Sequence, residues 1–116
     1  MNRLIPALVV ALPALCAAAG SADGWKPFAA TLAPGKIHEE CQRIGKGDQR
    51  RYQWKADGPV DFNIHYHEHT EVFYPVKRDG MRGDGGTFRA KIAQDYCWMW
   101  TARNATAKIE GRIETR

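Results

Sequence analysis

The sequence predicts an all-β fold: a small antiparallel β-sandwich of seven to eight strands, held by one disulfide. Three observations carry this prediction. Short stretches of alternating apolar and polar residues recur along the chain, Gly, Pro and Asp clusters punctuate them, and no stretch sustains a convincing helical period. An exported chain of this size with one pair of cysteines fits the same class.

The first 22 residues read as a secretory signal peptide. Asn2 and Arg3 precede the apolar run Leu4 to Leu15, and small residues follow from Ala17 to Ala22, so cleavage is expected after Ala19 or Ala22. Pro6 and Pro13 break the apolar run, which is also too short for a membrane span, so an integral membrane protein is not predicted. Leu15 precedes Cys16 where a lipobox would place Gly, Ala or Ser, so a lipoprotein anchor is not expected. The predicted location is periplasmic or secreted.

Residues 23–34 contain two prolines and read as an N-terminal arm or lead-in strand, with Trp25 and Phe28 as anchors. The main domain is expected over residues 35–113. Pro34-Gly35 turns the chain into residues 36–44, an imperfect strand with Ile37, Glu39 and Cys41 on one face; its helix formers leave a helical alternative open. After Gly45 to Asp48, Gln49 to Ala56 alternates Arg50, Tyr52 and Trp54 against polar neighbours, as a half-buried strand does. Asp57-Gly58-Pro59 is expected to turn the chain into the next strand from Val60. Glu71 to Lys77 then returns across Glu68-His69-Thr70 as the second arm of a hairpin, with Pro75 confined to an edge or bulge because it has no N–H to donate. Arg78 to Gly86 carries four glycines and is expected to be a flexible connection; without phosphate-loop spacing it has no nucleotide role. Thr87 to Ile92, Tyr96 to Thr101 and Ala105 to Ile113 complete the strands. Trp54, Trp98, Trp100, Tyr52 and Tyr96 are expected in the core rather than on a ligand platform.

The 116 residues carry 17 Lys and Arg against 13 Asp and Glu. Loss of residues 1–19 removes only Arg3, leaving 16 against 13, a formal +3. The signs are interspersed and form no basic stripe, which excludes nucleic acid as the expected partner. With Cys16 in the leader, Cys41 and Cys97 remain, and an oxidising compartment favours a disulfide between them; thiolate metal ligation is the alternative.

The most distinctive stretch is Val60 to Val76. On a strand, Phe62, Ile64 and Tyr66 point one way while Asn63, His65 and His67 point the other, with His65 and His67 Cα atoms about 6.5 Å apart. Their imidazoles are thereby expected to converge on one ion, with His69 or Glu71 entering from the turn and His38 from a neighbouring strand. Imidazole-rich ligation in an exported protein suits copper before zinc. No nucleophile–base arrangement stands out: Glu39 and Glu40 would point to opposite faces, and a disulfide sulfur is not a resting nucleophile, so an enzyme is not expected.

Two family resemblances follow from these residues. Glu39-Glu40-Cys41 in the first strand and Tyr96-Cys97-Trp98-Met99-Trp100-Thr101 near the end resemble the paired cysteine elements of the GOLD-like β-sandwich, the lumenal module of the emp24/p24 cargo proteins, over roughly residues 32–113. That resemblance implies the sandwich, a Cys41–Cys97 bridge and a non-enzymatic binding role; it does not supply the histidines. His65-x-His67-x3-Glu71 resembles the first cupin motif, whose side chains bind a divalent metal, but no histidine follows His69 to supply the second motif's ligand. The sequence thus predicts an exported protein that binds a transition metal, copper or zinc, through His65, His67, His69, His38 and Glu71. The alternative is a protein-interaction or cell-envelope structural module without metal, whose partner is a periplasmic or secreted protein.

Overall fold

A computed structural model describes residues 23–116; the expected leader, with Cys16, lies outside the described residues. Six strands form one sheet: β1 (Trp25–Leu32), β2 (Ile37–Ile44), β3 (Gln49–Glu68), β4 (Glu71–Arg89), β5 (Gln94–Ala102) and β6 (Ala107–Glu114). All pairings are antiparallel, in the order β1-β6-β3-β5-β2, with β4 along the other edge of β3.

The 20-residue β3 organises the sheet. Residues 52–56 pair with β6 and residues 60–65 pair with β5, so the two halves of one strand carry two wings, β6-β1 and β5-β2. Between the wings the register of the β3–β4 ladder shifts at Lys55/Val60, and the sheet curls into a half-barrel. The inner face collects the even-numbered residues of β3 and β5. Trp98, Trp100, Tyr96, Phe62 and Ile64 are fully buried, and Trp100 meets Phe28 from β1 with ring centroids 4.5 Å apart. All five aromatics expected in the core are there, in offset and edge-on contacts that suit the ring quadrupoles.

The wings also meet at their outer strands, through side chains. Lys26 Nζ lies 2.8 Å from Glu40 Oε2, and Gln42 Nε2 donates to the Glu114 carbonyl at 2.8 Å. Arg50, nearly buried, donates in turn to Gln42 Oε1 at 2.8 Å.

The expected sandwich of seven to eight strands is corrected to this six-stranded half-barrel. The expected turn at Asp57-Gly58-Pro59 is a bulge inside β3, where Asp57 Oδ1 accepts the Lys108 N–H at 2.7 Å, so two expected strands are one. Likewise Arg78 to Gly86 is no flexible connection but the middle of β4. Gly83 and Gly85 lie where a Cβ would come within 3.1 Å of the Trp54 and Tyr52 carbonyl oxygens, so the glycines admit a close ladder; Gly80, at φ 67°, provides the bend. The stretch left open between strand and helix is strand β2, Ile37–Ile44, locked in register with β5 from Ile37↔Thr101 to Ile44↔Gln94.

Candidate functional site

Two places on this frame concentrate chemistry. The first is the outer face where β2, β5 and β3 lie side by side. Cys41 pairs with Cys97, and Cys97 pairs with His65, so a row of side chains crosses three strands. Cys41 and Cys97, with Cα atoms 4.0 Å apart, form the expected disulfide. Beside it the Glu39 carboxylate and both sulfurs lie within 4.8 Å of one another, a spacing compatible with some metal ion. With the sulfurs bonded to each other, neither is a thiolate, the form in which cysteine ligates.

The histidine-borne metal site is corrected by the same geometry. His65 and His67 do share the outer face, with ring centroids 5.2 Å apart. His65, however, is only 3 % exposed, and its Nδ1 is hydrogen-bonded to Asn63 Oδ1 at 2.7 Å; its Nε2 stands 3.6 Å from Glu39 Oε1, beyond hydrogen-bond reach. Burial pushes the His65 imidazole below the ordinary histidine value, with Glu39 opposing that shift and His67 adding to it. His38 lies on the opposite, inner face, stacked on Phe28 and held to Glu40 Oε1 at 3.1 Å. His69 sits in the hairpin turn with φ 55°, and Glu71 is an exposed residue at the start of β4. Only His65 and His67 are neighbours, His38, His69 and Glu71 lie elsewhere, and the one grouping with metal-site spacing among the described residues contains no histidine.

The second place is the distal end of the β3–β4 hairpin. A bulge between Ile64 and Tyr66 sets Tyr74 and Pro75 against His65, so Phe73 and Val76 both turn to the inner face, where no wing covers them. Tyr66 and Phe73 stack at 5.1 Å, Tyr96 meets Tyr66 edge-on at 5.4 Å, and Phe88 meets Tyr96 at 4.9 Å. These rings line an open groove of about 630 Å³, with Arg89, Lys91 and Ile92 at its rim. The Tyr96 hydroxyl donates to the Ile92 carbonyl at 2.8 Å, which fixes the β4–β5 connection as one wall. Of the five large hydrophobic side chains exposed among the described residues, Phe73 and Ile92 line this groove, Tyr74 borders it with its ring turned towards His65 on the outer face, Val72 stands opposite His67 on that outer face, and Ile37 lies elsewhere.

Sequence reading missed this groove. Its walls come from positions 66, 73, 88, 92 and 96, and only the curl of β4 brings them together. The one signal for it was the run Val72-Phe73-Tyr74, three bulky residues without alternation on a predicted hairpin arm.

No family model matches the chain, and no curated protein sequence matches it. Solved structures do. The pre-peptidase C-terminal domain of a collagenase from Bacillus anthracis aligns over 77% of this chain and 88% of its own, with a TM-score of 0.58 and 11% identity. A periplasmic inhibitor of g-type lysozyme from Aeromonas hydrophila aligns over 78% and 85%, with a TM-score of 0.56 and 8% identity. A mitogen derived from Yersinia pseudotuberculosis aligns over 79% and 86%, with a TM-score of 0.50 and 10% identity. At these identities the likeness is one of fold, an all-β half-barrel common to diverse proteins, and it assigns the chain to no single named family.

Proposed function

We propose that the protein is an exported, non-catalytic binding module that docks another protein through the distal end of its β3–β4 hairpin. The observation that carries this reading is the open groove lined by the rings of Tyr66, Phe73, Phe88 and Tyr96, where Phe73 and Ile92 stay 37 % and 39 % exposed. Contiguous apolar surface of this kind is costly to leave in water and marks interaction sites, and tyrosine and phenylalanine are typical anchors of such contacts. The leader-like residues 1–22 and the Cys41–Cys97 disulfide support an oxidising compartment outside the cytoplasm. At the level of fold, the likeness to a periplasmic lysozyme inhibitor and the resemblance to the p24 lumenal module are in keeping with a binding role.

A photo-cross-linking amino acid placed at position 74, with one at position 46 in the β2–β3 turn as control, tests the proposal. The expected result is a discrete adduct with one recurring protein from position 74 and none from position 46. The adduct should disappear in Phe73→Ser while the melting temperature stays unchanged. Equal labelling from both positions, or none from position 74, overturns the docking reading.

A further inference from the structure

Resting on that reading, we infer that the groove takes an acidic segment of the partner, inserting one large apolar side chain between Phe73 and Phe88 and setting carboxylates against Arg89 and Lys91. The groove's volume, about 630 Å³, falls within the range of sites that enclose a sizeable ligand group. Its walls are mainly aromatic rings and aliphatic side chains, and the Tyr96 hydroxyl is already engaged with the Ile92 carbonyl. Its rim is cationic: Arg89 and Lys91 are exposed, no carboxylate lines the groove, and neither cation forms an ion pair among the described residues.

Several other cations are neutralised locally. Lys26, Arg43, Arg51, Lys55, Arg78 and Arg103 each face a carboxylate at 2.8–3.8 Å. Arg89 and Lys91, like Lys46 and Arg82, have no such carboxylate among the described residues, and they are the two that stand at an apolar groove. An apolar cleft rimmed by unpaired cations selects an anionic partner by complementarity and repels a basic one.

The test is selection of a displayed library of random peptides on the immobilised protein, followed by fluorescence anisotropy with a synthetic peptide of the selected consensus. The expected consensus places a large apolar residue within about three positions of two or more Asp or Glu residues. Its affinity should fall about tenfold in Arg89→Glu/Lys91→Glu, fall similarly when salt is raised from about 50 to 500 mM, and vanish in Phe73→Ser. All three positions are exposed, so each variant should keep the wild-type circular dichroism and melting temperature. A neutral or basic consensus, or binding indifferent to the charge reversal, overturns the acidic assignment while a position-74 adduct would leave docking intact. Selection of no peptide, or a concentration-dependent dimer abolished by Phe73→Ser, overturns the assignment too, the latter by making a second copy the occupant.

Discussion

His65 is a histidine placed on the side of the sheet that faces away from the core, yet buried. The Cys41–Cys97 bridge, Glu39, His67 and Tyr74 surround it, and Asn63 takes its Nδ1. A folded-state value below that of the unfolded chain means that, as pH falls through the unfolded value near 6.5, the unfolded state gains a proton which the folded state resists. Stability is therefore full above that range and declines below it. The expected outcome is a melting temperature that drops between pH 7 and pH 5, with the drop reduced in His65→Gln; an equally steep profile in that variant would assign the effect to other groups. Gly111 makes the same point in steric terms. A Cβ there would meet the Gln53 carbonyl, Trp54 Cβ and Phe28 Cζ, so Gly111→Ala should cost about 2–3 kcal/mol in urea unfolding. At this scale the sequence was informative about parity, since His65 and His67 do leave the backbone together. It said nothing about cover, because what buries His65 arrives from β2, β4 and β5.

Strands β3 and β4 show why element boundaries were harder to read than element type. Tyr52, Trp54, Tyr96, Trp98 and Trp100 alternate so regularly that strands and inward face were legible from sequence. Asp57-Gly58-Pro59 and the glycines of 80–86 carry the composition of a reversal, but the same residues serve a bulge or a bend, and only the pairing partner decides which. Gly86, directly opposite Tyr52, has open space where a Cβ would stand and an ordinary φ. Gly86→Thr should thus hold or raise the melting temperature, whereas a true flexible connection would be indifferent to β-propensity. The strand pair β2–β5 depends on a covalent tie across 56 residues. Removing it in Cys41→Ala/Cys97→Ala should cost about 4 kcal/mol by the loop-entropy estimate, read as a lower urea midpoint, with the fold retained at low temperature.

For the molecule as a whole, the half-barrel is closed on one side and open on the other. The closed side depends on polar side chains joining the two wings: Lys26 to Glu40 between β1 and β2, and above all Gln42 of β2, which links Arg50 of β3 to the Glu114 carbonyl of β6. Gln42→Leu leaves the nearly buried Arg50 with only the Gln49 carbonyl and should cost about 1–3 kcal/mol, with faster amide exchange in β2 and the end of β6 than in β5. The open side is bounded by β4, which is hydrogen-bonded along one margin only. Nineteen residues of extended chain with a free margin form a template on which further copies can add strand upon strand, the first step towards amyloid. Pro75 withholds an N–H, the neighbouring bulge skews the ladder, and Arg82 adds charge repulsion along the line of growth. Replacing both residues by valine should yield thioflavin-positive fibres where the wild type yields none; thus the irregularities of this strand act as a safeguard against runaway polymerisation.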